Sequence, residues 1–160
     1  MIRFNLQTGE PVQGIVIIDD AGDFQLVYEP VTDPLIQQFL DLRALLPAPL
    51  NQSPAFPAWF AESPTLRSLR LQLPFAPNLS KAEYLPTKAL LFMEALRDKF
   101  PQHRLLMSDF DALPDAIEGH TAPVVQTRWK NTSVPVSTFM VRQGFFDIFF
   151  PTGECCVTRL

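Results

Sequence analysis

The sequence predicts an α/β protein: a three-stranded antiparallel unit, helices, and the αβ half of a parallel sheet unit. Three observations carry that prediction. Residues 1–32 alternate apolar and polar positions between strong turns. Thr87 to Phe100 has helical periodicity and runs almost directly into the apolar stretch Arg104 to Ser108. Between them lies a segment rich in proline and poor in glycine, which breaks regular structure without loosening it.

In the N-terminal part, Ile2, Phe4 and Leu6 alternate with polar neighbours, and Thr8-Gly9-Glu10-Pro11 turns the chain. Val12 to Ile18 is β-branched, Asp19 to Asp23 (DDAGD) is a turn, and Phe24 to Tyr28 is a further strand. A three-stranded antiparallel unit follows. Asp33-Pro34 then opens a helix, with Asp33 as N-cap and Pro34 at the first helical position. Leu35, Ile36, Phe39, Leu40 and Leu42 give that helix its apolar stripe, and Pro47 and Pro49 end it.

From Ala48 to Pro77, prolines alternate with Phe56, Trp59 and Phe60, which predicts an ordered crossing segment with short helices near Trp59 and over Leu66 to Leu71. Pro86 opens the strongest helix, with Leu90, Leu91, Met93, Leu96 and Phe100 facing inward. An apolar run without alternation after a helix is the mark of a strand buried on both faces. Val124 to Trp129, a turn at Lys130-Asn131-Thr132, and Val134 to Val136 continue as extended chain, followed by Phe145-Phe146-Asp147-Ile148-Phe149-Phe150.

Composition narrows the functional classes. The 160 residues are 47% hydrophobic, enough for one domain with a core. A net charge of −4 and a pI near 5.1 argue against a nucleic-acid partner, which requires a basic stripe. No apolar run is long enough for a membrane span, and Met1 begins no secretory signal. Cys155 and Cys156 are adjacent and near the terminus. They suit free thiols better than a disulfide or a zinc set.

The candidate site is Ser108-Asp109-Phe110-Asp111, where an apolar strand would end. Ligands in open α/β sheets collect outside the carboxyl ends of strands. Asp109 and Asp111 there could hold a guanidinium or accept a proton. Equally, Asp109 or Ser108 could cap a turn over Ala112 to Ile117 with Asp111 solvated, and sequence alone favours that second assignment. A hydrolase built on the two carboxylates lacks a nucleophile or metal partner. Asp147, alone among aromatics, is expected to pair with Arg142. His103 is expected at the surface, and neither it nor His120 stands in a nucleophile pattern.

Glycine is scarce, 6 residues against 16 prolines. A nucleotide-type cofactor needs a glycine-rich turn after a strand, where backbone can approach the ligand. Gly9 and Gly14 lie in a hairpin and lead into a strand, so no cofactor-binding residue is assigned and no catalytic residue is identified.

"YLPTKALLFMEALRDKFPQHRLLMSDFDALPDAIEGHTAPVVQTRW", followed by "VPVSTFMVRQGFFDIFFPT", resembles the C-terminal half of the MidA-like SAM-dependent methyltransferases. "IRFNLQTGEPVQGIVIIDDAGDFQLVYEPVTDPLI" is similar to that family's hairpins. The family includes a mitochondrial protein-arginine methyltransferase required for respiratory complex I assembly. The resemblance implies a partial Rossmann-like methyltransferase sheet with an inserted antiparallel hairpin and helical segment. In sequence order this comprises hairpins over 1–32, a helix and proline-rich crossing over 33–83, helix and strands over 84–152, and a divergent tail over 153–160.

It further implies S-adenosyl-L-methionine as cofactor, a protein substrate of the complex I type, a mitochondrial matrix location (otherwise cytoplasmic), and Asp109 and Asp111 on the substrate side. The family's glycine loop has no counterpart in these residues, so the resemblance implies a C-terminal fragment inactive on its own, a truncated or alternatively spliced product. Open sheet edges and apolar faces in such a piece predict poor solubility or dimerisation. The rival class is a non-catalytic interaction module presenting Phe56, Trp59, Phe60 and Trp129.

Overall fold

A computed structural model describes residues 1–48, 50–57, 64–73, 75, 78–108, 113 and 123–150, apart from the side chains of Leu66, Arg67 and Arg70. The chain is mixed α/β and divides into two compact units, Met1–His103 and Arg104–Leu160.

The first unit is built on an antiparallel sheet of order β1-β2-β3, with β1 at Ile2–Phe4, β2 at Pro11–Ile18 and β3 at Phe24–Pro30. Alternation places Ile2, Phe4 and Leu6 on one face, and all three are buried. The turns form where the sequence predicts them. Gly9 and Gly22 take positive φ, and the Asp19 carboxylate accepts the amides of Ala21 and Asp23. The outer edge of β1 is covered by the segment 78–83: Ile2 and Glu83 exchange both backbone hydrogen bonds, and the Phe4 carbonyl accepts from the Ser80 amide.

Helix α1, Pro34–Ala44, begins as expected, with the Asp33 carboxylate accepting the Leu35 amide at 2.8 Å. Its Ile36 completes a core with Ile2, Phe4 and Ala55, flanked by Val31, Leu40, Phe56 and Leu85. The Phe4 and Phe56 rings lie 4.4 Å apart and tilted. Leu42 belongs to the expected stripe but is exposed, because the core reaches only the first turns of α1.

Helix α2 spans Pro64–Leu71 and α3 spans Thr87–Lys99. The inward face expected on α3 is buried only in part. Leu90, Met93 and Leu96 are half-buried, while Leu91 and Phe100 are exposed. A polar contact, Gln38 Nε2 donating to Glu94, joins α3 to α1. The expected short helix near Trp59 lies outside the described residues.

In the second unit, β4 (Val124–Trp129) is central between β5 (Thr132–Val136) and β6 (Asp147–Phe149), both antiparallel to it. Lys130 takes positive φ at the β4–β5 turn. Both described sheets are therefore antiparallel, and no parallel pair occurs among the described residues. The strand expected over Arg104–Ser108 does not form. These residues join no ladder, and Leu106 is 96% exposed with Met107 at 59%. An unbroken apolar run specifies burial only when flanking strands share its hydrogen bonds, and none does so here.

Candidate functional site

Asp109 and Asp111 lie outside the described residues, as do His120, Trp59, Phe60, Cys155 and Cys156. Of the other residues singled out from the sequence, His103 is exposed as expected, its Nδ1 within 2.6 Å of the Phe100 carbonyl. Asp147 is exposed on β6 opposite Gln126. The expected pair with Arg142 is replaced by a stacking contact: the Arg142 guanidinium sits 4.9 Å from the Phe145 ring centre. Phe56 is packed into the core, whereas Trp129 is 69% exposed.

The polar side chains that the fold brings together are different ones. Glu83, in the segment beside β1, is buried. Its Oε1 accepts from Arg43 Nη1 at 2.5 Å and its Oε2 from Ser53 Oγ at 2.5 Å. Ser53 Oγ in turn accepts the Ala55 amide. The cluster ties the end of α1, the loop at Ser53 and the edge segment into one body. Both carboxylate oxygens are engaged, one by Arg43 and one by Ser53, so Glu83 acts as a clasp between these segments.

Gln13 is a second buried junction. Its Nε2 donates to Glu29 Oε1 and Thr32 Oγ1, and its Oε1 accepts the amides of Thr32 and Asp33. Four hydrogen bonds from one amide side chain fix the path from β3 into α1. No sequence pattern marks either junction, because each depends on segments brought together only by the sheet.

On the sheet face opposite the core, the Arg3 guanidinium lies 5.1 Å from the Tyr28 ring centre. Its Nε is buried without a hydrogen-bond partner, and no carboxylate pairs with it among the described residues. Burial pushes the Tyr84 hydroxyl above the ordinary tyrosine range, reinforced by Tyr28 and opposed by Arg3. A shallow hollow of about 360 Å³ is lined by Gln7, Pro64, Ser68, Leu71 and Gln72, none of them ionisable.

None of these groups suits a bound adenosyl cofactor. Gly9, Gly22 and Gly144 serve turns with positive φ, and a Cβ added at any of them would meet nothing within 4 Å. A Cβ at Gly14 would meet Met1 Cε at 2.6 Å, with Leu26 and Tyr28 side chains close behind, so that position is filled by the protein itself. No described glycine stands between a strand and a helix N-terminus, where a donor's backbone cradle would lie. Among the described residues no cluster of His, Cys, Asp and Glu could hold a metal ion, and no helix is long and apolar enough to cross a membrane.

The family described as "Putative S-adenosyl-L-methionine-dependent methyltransferase" matches residues 5–153. No curated protein and no solved structure matches the chain.

Proposed function

The chain belongs to that S-adenosyl-L-methionine-dependent methyltransferase family, and from this premise we propose that it works on the acceptor side of a protein-arginine methyltransferase of the MidA-like kind, in mitochondrial complex I assembly. The match over residues 5–153 supports methyl transfer, and the sequence resemblance to the MidA-like proteins supports the arginine and complex I assignments. S-adenosylmethionine is the cofactor by family. On this reading the donor is gripped by residues other than the described ones, since the described glycines form turns and packed strand and offer no cradle. Asp109 and Asp111 are proposed to orient the acceptor guanidinium, a task suited to carboxylates through paired charge-assisted hydrogen bonds.

The alternative is an interaction module without methyl transfer. It is favoured by exposed Trp129 and by the exposed Leu105-Leu106-Met107 run.

The test is product analysis by mass spectrometry after incubation with S-adenosylmethionine and mitochondrial matrix proteins. It compares the chain alone with a longer form that carries a glycine-rich strand–turn–helix segment upstream. Methylarginine from the longer form is the expected result, lost on replacing Asp109 and Asp111 with Asn. Methylation of another residue type would overturn the arginine assignment. Failure of the longer form to bind the donor would leave the interaction module.

A further inference from the structure

We infer that the outer edge of β3 is a docking edge for an extended, arginine- or lysine-bearing polypeptide segment, which adds as a fourth strand beside Phe24–Pro30. The register shows which backbone groups are available. Asp19 N–H donates to the Asp23 carbonyl, and Gly14 N–H donates away from β3 to Met1. Pairs along an antiparallel ladder alternate, so Gln25, Val27 and Glu29 bond to β2, while Phe24, Leu26 and Tyr28 direct their amides and carbonyls outward. Among the described residues no strand pairs with that side. The opposite edge of the same sheet is covered by the segment 78–83, so among the described residues one edge is closed and the other is open.

Side chains beside the open edge define what fits. Val16, Ile18 and Phe24 share one face by register and are exposed at 44%, 66% and 39%. They offer apolar contact to alternate residues of an added strand. The charge is one-sided. From Phe4 to Leu42 the chain has seven carboxylates, Glu10, Asp19, Asp20, Asp23, Glu29, Asp33 and Asp41, and no lysine or arginine. Asp20 and Asp23 stand exposed at the hairpin tip. Arg3 is half-buried over Tyr28. A second copy of this hairpin would bring like charges together, and a nucleic acid would meet the same repulsion. A cationic extended peptide is the partner whose charge and backbone both complement the edge.

The experiment is fluorescence anisotropy with two labelled probes, a peptide alternating arginine and valine and its glutamate–valine counterpart, added to the 160-residue chain without methyl donor. It stands apart from methyl transfer, so its outcome and that of the proposed function are separate. The arginine peptide is expected to bind and to weaken as salt is raised. Leu26→Pro removes an outward amide without touching the β2–β3 ladder and is expected to weaken binding about tenfold or more. Exchanging Asp20 and Asp23 for Lys leaves the turn carboxylate of Asp19 in place and is expected to transfer preference to the glutamate peptide. That charge exchange decides the matter if the proline variant does not fold. Equal binding of both peptides, or binding of neither, overturns the inference. Self-association abolished by Leu26→Pro, with no peptide bound, assigns the edge to a second copy and overturns it too.

Discussion

Asp19 and Glu83 show how differently two carboxylates are used in one small unit. Asp19 is half-buried at the hairpin tip, where the Asp23 amide above all, with Gln25 and the Ala21 and Gly22 amides, holds its carboxyl below the ordinary aspartate value of 3.8. Because the folded value is depressed, its contribution is present above the unfolded value and is lost as the pH falls through the folded one. Acidification below about pH 4 is therefore expected to loosen the turn, visible as faster amide exchange at Ala21 and Asp23. A carboxyl that titrates at or above the ordinary value in a pH series of NMR spectra would contradict this. Glu83, by contrast, is held out of water against Arg43. Glu83→Ala strands that guanidinium, and a loss of about 3–5 kcal/mol in urea unfolding is expected. Glu83→Gln retains a partner for Ser53 and should cost less. A change within ~1 kcal/mol for the alanine variant would mean that the pair is effectively solvated. Only the first of these residues was legible: the DDAGD turn has a local signature, whereas Glu83 is a lone acid whose burial depends on β1 lying beside it.

At the scale of elements, local chemistry decided what the sequence could tell. The start of α1 was visible because Asp33-Pro34 combines a cap with a proline at the first helical position, and the structure places the carboxylate on the Leu35 amide. Asp33→Ala is expected to destabilise the first unit by about 1 kcal/mol in thermal or chemical unfolding, and Asp33→Asn to be nearly neutral. Equal effects from the two would remove the capping role. The three N-terminal strands were legible for a similar reason, since alternation and turn residues agree. The extent of burial was not. Helix α3 has the periodicity of a core helix, yet no residue in it is fully buried. Periodicity reports which face is apolar, and only the neighbouring elements determine whether that face is covered. Arg104–Ser108 failed for the same reason. Its apolar run is compatible with a parallel strand, but strand formation requires partners, and the residues stand unpaired and exposed.

Over the whole molecule, the two units each carry a small antiparallel sheet, and the family assignment spans most of both. The methyltransferase character was legible from long stretches of similar sequence; the expected carboxylates Asp109 and Asp111 fall outside the described residues, and the buried polar junctions leave no local trace in the sequence. The fold does show exposed apolar side chains, among them Val16, Ile18, Leu106 and Trp129, and described glycines spent on turns and packing. Binding an adenosyl donor requires close backbone approach at a helix N-terminus, which those glycines do not provide. Equilibrium dialysis of the 160-residue chain against radiolabelled S-adenosylmethionine tests this most directly. Label is expected to distribute evenly across the membrane, whereas saturable retention of one equivalent by the chain alone would contradict the account.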